Sequence, residues 1–272
     1  MPRQPEHGWL EDVPPPTLAE RHAQFVRQAG WTRATRSHMV RRARLLQAER
    51  VLDVGCGTGV ITRELARRTR GQVIGLDLDA EVIAFAQQQG SQVHYKEGDA
   101  LALPYPDGHF DIAACHFVLM WVADPLQAVR EMARVVRPGG FVLLCGEPDY
   151  GGRLDWPELP IRRWQVEGLR RQGADPLLGR RLRQLSAAAG LRADVGIIPS
   201  HWDIDALREN WEQEWMWLAR DVRLWPGGSG QDEPAEIVSP AAFARARNRA
   251  RAAIEEGTRL AFIPIFYAVG SK

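Results

Sequence analysis

Between residues 51 and 147, short apolar runs alternate with segments of helical period, and that alternation restricts the fold of this 272-residue chain more than any other feature. VLDV (51–54), VIGLD (73–77), QVHY (92–95), DIAACHF (111–117) and FVLLCGE (141–147) read as strands bounded by glycine, proline and polar clusters. Between them, Val60 to Thr69, Glu81 to Gln89 and the series Leu126, Val129, Ala133, Val136 carry helical spacing, the last stopped by Pro138-Gly139-Gly140. DIAACHF is apolar almost throughout, as a parallel strand covered on both faces must be. Strands alternating with single helices join by right-handed crossovers into a mostly parallel α/β sheet, with helices on both faces and a ligand crevice at the strands' carboxyl ends.

Outside that stretch the rhythm changes. Residues 1–16 are proline-rich and polar and are expected to form a flexible tail. Thr17 to Gln47 reads as helical, with Leu18, Phe25, Trp31, Met39, Leu45 and Leu46 as candidates for burial. Residues 148–190 read as loop and helices, ADVGIIP (193–199) as a strand, and the next stretch as a helix with Trp211, Trp215, Leu218 and Val222 on one face. PGGSGQDEP (226–234) marks a soft boundary. The last strand, Leu260 to Val269, contains Pro264, which favours a sheet edge or a bulge. The expected organisation is one domain over 17–272, with a core at 45–147 and lid insertions at 148–190 and 200–258.

Composition removes several function classes. A net charge of +1 with 45% hydrophobic and 25% charged residues argues against a nucleic-acid surface. The basic run RARNRARA (245–252) reads as a solvated helix face, since arginine replaces lysine almost everywhere in this chain. Cys56, Cys115 and Cys145 are odd in number, have no CxxC spacing and fall in core-like segments, so buried free thiols are expected, with no metal and no disulfide. No apolar run follows a basic start, and none approaches the roughly 20 residues that cross a bilayer, so no signal peptide and no membrane span are expected. A cytoplasmic location follows as an expectation.

The chemistry concentrates in VLDVGCGTG (51–59), where glycines two apart follow a buried strand. Such a turn brings backbone amides and a helix N-terminus against a ligand. The dinucleotide pattern GxGxxG fails, because its last glycine falls on Val60 counted from Gly55 and on Thr62 counted from Gly57. A phosphate-binding loop fails as well, for want of Gly-Lys-Ser/Thr.

The segment Asp53-x-Gly55-x-Gly57-x-Gly59 resembles the first motif of the class I S-adenosylmethionine-dependent methyltransferases. VIGLD, EGDALALP and FDIAACHFVLMW with REMARVVRPGGFVLL match further family segments in order, so the resemblance covers about residues 45–147. It implies an α/β, Rossmann-like, mostly parallel seven-stranded sheet with helices on both faces and a helical lid. It also implies S-adenosylmethionine as cofactor and S-adenosylhomocysteine as product. The cofactor set is then Asp53, Gly55, Cys56, Gly57, Thr58 and Gly59 at the turn, Asp77 and Leu78 at the ribose, Asp99, Ala100 and Leu101 at the adenine, and His116 at the methionine end. A carboxylate suits a vicinal diol because it accepts both hydroxyls in one bidentate contact. The plainer reading makes Asp77 and Asp99 caps of the next helix or turn.

Methyl transfer chiefly requires positioning and dryness, with a base only where the acceptor must lose a proton. His116 is the candidate base, with a cofactor-shaping or satisfied core histidine as the alternative; Glu147, Asp149 and Tyr150 are weaker candidates. The Asn/Asp-Pro-Pro-Tyr/Phe grip of amino-methylating DNA enzymes is absent, CHFVLMW standing in its place. A small, apolar or aromatic metabolite is the expected acceptor, with no nucleic acid and no membrane partner, for a monomer or homodimer. A macromolecular acceptor or a non-catalytic cofactor-binding scaffold is the alternative, and a dehydrogenase is more distant. Trp156, Trp164, Trp202, Trp211, Trp215, Trp217 and Trp225 read mainly as core, some as an aromatic pocket. GADPLLGRRL (173–182) also resembles a segment of small-molecule methyltransferases.

Overall fold

Apolar alternation and caps divide the chain into the following elements. A computed structural model describes residues 14–90, 93–199, 204–222 and 238–272. In chain order these are α1 (Leu18–Arg42), β1 (Arg50–Val54), α2 (Val60–Ala66), β2 (Gln72–Asp77), α3 (Ala80–Gln88), β3 (His94–Glu97), β4 (Phe110–Cys115), α4 (Pro125–Val135) and β5 (Val136–Pro148). Then come β6 (Leu154–Trp156), α5 (Ile161–Arg171), α6 (Leu182–Ala188), β7 (Arg192–Ile197), α7 (Ile204–Glu209), α8 (Trp211–Val222), α9 (Pro240–Glu255), β8 (Leu260–Phe262) and β9 (Ile265–Ser271). Of the expected features, most of the tail, Gln92, Trp202, Trp225 and the boundary at 226–234 lie outside the described residues.

The chain separates into two compact units, a larger one of 16–148, 178–199 and 265–272 and a smaller one that includes 149–177 and 200–264. The larger unit is built on a seven-stranded sheet of order β3-β2-β1-β4-β5-β9-β7. The first five strands are mutually parallel, and β9 runs antiparallel between β5 and β7. This is the expected mostly parallel α/β architecture. Val51, Leu52, Ile112, Leu143 and Leu144 are almost fully enclosed, since helices cover both faces of a parallel sheet. All three cysteines are buried and free.

Two boundaries differ from the sequence pattern. Helix α4 ends at Val135 and β5 starts at once, so Pro138-Gly139-Gly140 lies within the strand segment rather than in a separate stop. The single strand expected over Leu260 to Val269 is two strands. β8 pairs with β6 in a small two-stranded sheet, whereas β9 occupies the interior of the large one. Pro264 therefore marks neither an edge strand nor a bulge. It falls between two ladders, where its missing N–H costs no hydrogen bond.

Helix α1 departs further. A capping box starts it, Thr17 Oγ1 accepting the Glu20 N–H while the Glu20 carboxylate accepts that of Thr17. Met39 and Leu45 are buried as expected, but Trp31 is 46% and Leu46 is 70% exposed. Beside Ala29, Met39 and Val40 the inward stripe carries Gln24, Thr32, Thr35 and Arg36. The apolar pattern reads only part of this helix because its buried face mixes apolar residues with polar ones, Thr32 and Arg36 among them joined by hydrogen bonds.

In the smaller unit Trp164, Trp211, Trp215, Leu218, Phe243 and Ile254 form the core, with Trp215 edge-on to Phe243 at 5.2 Å between ring centroids. Trp156 is exposed. On α9, Ala246 and Ala250 face inward while Arg245, Arg249 and Arg251 are exposed, the solvated face expected of the basic run. A buried polar network joins its elements: Arg153 and Arg259 both donate to Asp155, Arg153 donates to Gln165 at 3.1 Å, and Gln165 donates to Asp221 at 2.6 Å. No helix among the described residues is long and apolar enough to cross a membrane.

Candidate active site

In register, Val54 of β1 stands beside Cys115 of β4, so the chain leaves both strands at the same end of the sheet. After β1, Gly55, Gly57 and Gly59 have φ of 66°, 49° and 77°, a left-handed backbone that only glycine adopts at little cost. Close packing adds a second reason. A Cβ at Gly55 would stand 2.5 Å from Val118 Cγ2, and one at Gly59 would stand 2.3 Å from the Tyr95 hydroxyl. The turn is stitched to β2, because Gly55 and Cys56 donate their N–H groups to the Leu76 carbonyl at 2.7 and 3.0 Å.

Asp77 ends β2 and accepts the Gly57 N–H at 2.7 Å and the Asp79 N–H at 3.1 Å. It does not cap α3; Asp79 does, accepting the N–H groups of Glu81 and Val82. A carboxylate offers about four lone-pair positions, so a half-buried Asp77 with two in use keeps capacity for a diol. Leu78 next to it is 69% exposed, an apolar side chain beside an acceptor. Asp99 is exposed and accepts the Leu101 N–H at 2.8 Å, which orders the Asp99–Leu101 turn, while Ala100 and Leu101 are half-buried.

The remaining residues of the turn face inward. Asp53 is 1% exposed and accepts the Thr62 hydroxyl at 2.6 Å, tying β1 to α2, and burial pushes its carboxyl up to about 7. Burial likewise raises the Cys56 thiol far above its ordinary range, leaving it unreactive. Thr58 is buried, its hydroxyl 2.8 Å from His22 Nδ1. His22 and Phe25, the latter within 3.0 Å of the position a Gly57 Cβ would take, bring α1 onto the turn. The sequence marks Phe25 only as a candidate for burial and does not single out His22. The capping box fixes where α1 starts, but nothing local says that its polar stripe faces inward.

The turn after β4 is built differently. His116 Nε2 lies 2.8 Å from Thr32 Oγ1, and Arg36 donates to that same oxygen, to the Ala29 carbonyl at 3.0 Å and to the Glu64 carboxylate. Burial first, then the Arg36 charge, pushes the imidazole down to about 3, so it is neutral at physiological pH and a poor base. Phe117 takes a left-handed φ of 58°. Glu147, fully buried at the end of β5, accepts the N–H groups of Val118 and Leu119 at 2.9 Å and of Met120 at 3.3 Å. Desolvation outweighs those three donors and raises its carboxyl to about 7. Glu147 thus shapes the backbone. Asp149 and Tyr150 begin the smaller unit, their N–H groups donating to the Pro264 and Pro176 carbonyls at 2.8 Å each. In GADPLLGRRL, Gly179 packs so tightly that a Cβ would stand 2.5 Å from the Glu147 carbonyl oxygen.

Residues 52–144 match the Methyltransf_11 family, described as a methyltransferase domain. The ubiquinone/menaquinone biosynthesis C-methyltransferase UbiE of Hahella chejuensis is 31% identical over 187 residues, 65% of this chain and 70% of that protein. A demethylmenaquinone methyltransferase of Deinococcus radiodurans is 36% identical over 124 residues, 44% of this chain and 50% of that one. The chain spans about half the length of some of its curated relatives. Among solved structures, the [4+2]-cyclase SpnF superposes with a TM-score of 0.56 at 23% identity, covering 88% of this chain and 80% of that chain. At that identity the likeness shows the fold alone.

Proposed function

The chain belongs to the class I S-adenosylmethionine-dependent methyltransferases, and we propose that it methylates a small, apolar or aromatic metabolite by in-line displacement. The observation that carries this reading is Asp77, half-buried at a strand end, holding the glycine turn with part of its acceptor capacity and keeping the rest beside exposed Leu78. The residues fit the cofactor. Asp77 with Leu78 would hold the ribose, Asp99 would accept from the adenine amino group, and Ala100 with Leu101 would supply backbone contacts. No phosphate has to be neutralised, which agrees with a turn that carries acids and glycines and no basic side chain.

When bound, the cofactor would supply a methyl group on a cationic sulfur, the acceptor's lone pair bonding to that carbon while the carbon–sulfur pair stays on sulfur. The protein's task is to hold two partners in line and keep water out. The relatives named for quinone methylation support a small acceptor. The smaller unit, entered after Pro148 and left before Ile265, is the part of the chain we assign to acceptor choice. A cytoplasmic enzyme, monomeric or dimeric, completes the reading.

The test is release of S-adenosylhomocysteine against phenols, quinols, aliphatic hydroxyls, amines, thiols and activated carbons, with Asp77→Ala as blank. Turnover in one group supports the reading and names the nucleophile. Silence in every group, with cofactor bound, overturns it in favour of a macromolecular acceptor or a scaffold.

A further inference from the structure

We infer that the amino end of the sheet carries a second binding site, a cavity in which Arg44 and Arg192 hold the phosphoryl group of a small organic phosphate. The inference goes beyond the methyl-transfer reading and does not rest on it.

The cavity is built on one face of three strands. Phe141 of β5, Ser271 of β9 and Arg192 of β7 are register partners in a single row, and Val269 beside Asp194 forms the row two residues on. Residues two apart on a strand share a face, so these five side chains point the same way. Arg42 and Arg44, at and just after the end of α1, complete the lining. The space is about 590 Å³ and open to solvent, within the roughly 300–1,000 Å³ of small-ligand sites. Phe141 pairs with Ile112 near the start of β4, so the cavity lies at the end of the sheet opposite the glycine turn.

Its charges are unbalanced. Three guanidinium groups face one carboxylate, and Arg42 donates to that carboxylate, Asp194. Arg44 and Arg192 are exposed, and among the described residues neither guanidinium has a hydrogen bond or an ion pair. Lys272, the next residue after β9, turns elsewhere and donates to the Val136 carbonyl at 2.7 Å. Arg44 supplies the independent observation. It follows the C-cap of α1 with φ 55° and ψ 40°, a left-handed position that chains usually give to glycine. Glycine would avoid the strain; what arginine adds is a permanent cation in the lining. The same residue borders an adjoining hollow with Arg41 and Arg68, so the positive surface continues around the helix end. Two planar forks match the several oxygens of a phosphoryl dianion better than the two of a carboxylate. Phe141 and Val269 give the organic part of such a ligand an apolar floor.

The test is calorimetry on the full chain with phenyl phosphate as the probe. It should bind in the submillimolar range, and more tightly than inorganic phosphate, which has nothing to lay on the Phe141 floor. Arg192→Gln and Arg44→Gly should each weaken phenyl phosphate about tenfold, as expected for one charge-assisted hydrogen bond. Arg44→Gly separates binding from folding, because glycine suits the left-handed position. Its urea midpoint should match or exceed that of wild type while affinity falls. A lower midpoint with affinity intact makes Arg44 structural and overturns the site. Arg70→Gln, exposed and outside the lining, should bind as wild type does, and an equal loss there would reduce the effect to diffuse charge and overturn it too. No binding of phenyl phosphate, or equal affinity for inorganic phosphate, overturns the ligand class. Sedimentation with phosphatidylcholine vesicles carrying phosphatidic acid tests the other source of the same chemistry. Vesicle binding that Arg44→Gly abolishes, with phenyl phosphate silent, overturns the small-molecule assignment in favour of a lipid headgroup. S-adenosylmethionine affinity should be unchanged in every variant, so failure of the methyl-transfer reading leaves the phosphate result standing.

Discussion

Two turns leave adjacent strands at the same end of the sheet, Gly55 to Gly59 after β1 and His116 to Trp121 after β4, and in each a carboxylate from the next strand accepts backbone N–H groups. Asp77 accepts from Gly57 and Asp79 and stays half-buried; Glu147 accepts three from Val118, Leu119 and Met120 and is sealed from solvent. The first turn reaches its left-handed backbone with glycines, the second with Phe117. Val118 connects them, its side chain filling the space in which Gly55 would carry a Cβ. The lesson concerns where acceptor capacity goes. The enclosed carboxylate is committed to the fold, while the half-open one keeps positions for a ligand.

The sharpest way to break that contrast is to remove each carboxylate. Glu147→Ala leaves three amides without their acceptor and should cost about 3–5 kcal/mol in urea unfolding, whereas Asp77→Ala should cost about 1 kcal/mol. Equal losses would erase the distinction.

Next in size is a pH effect. The folded pKa of Glu147, about 7, stands above its ordinary 4.5, so the folded state holds the proton longer than the unfolded one. Its stabilising contribution is full below pH 4.5 and is lost as the pH rises through 7. Between pH 4.5 and 8 the stability of Glu147→Gln should therefore gain about 2–3 kcal/mol relative to wild type in parallel denaturant titrations. A constant gap would mean that the three amides hold the carboxylate ionised.

Gly55→Ala should then cost about 2 kcal/mol through its left-handed φ and its clash with Val118. Val118→Ala in the same chain should recover part of that loss, and strict additivity would show that the two turns do not press on one another. On the ligand side, Asp77→Ala should weaken S-adenosylmethionine binding by about tenfold, near 1.4 kcal/mol, measured by calorimetry. Unchanged affinity would remove Asp77 from the ribose.

Legibility follows the same division. The turn after β1 could be read because its requirement is local: a positive φ calls for glycine at that residue, and the family motif is contiguous. Asp79 as the cap of α3 is local too, although the sequence left Asp77 as a possible cap. The turn after β4 could not be read. Phe117 is an unexpected residue for a left-handed backbone, and the carboxylate that supports it lies 30 positions later at Glu147. Over Thr17 to Gln47 the burial of Met39 and Leu45 was legible, but Trp31 and Leu46 are exposed and Gln24, Thr32, Thr35 and Arg36 are buried, because apolar spacing cannot signal polar members of an inward stripe.

By itself the sequence determined the alternating strands and helices, the parallel order they impose and the positions of the glycine turn, since periodicity and backbone sterics act over a few residues. Only the tertiary structure decided that β9 runs antiparallel inside the sheet, that Pro264 separates two sheets, and that Thr32 and Arg36 meet His116. Those outcomes depend on groups distant in the chain competing for the same space and the same protons, and the energies involved exist only once the partners are together.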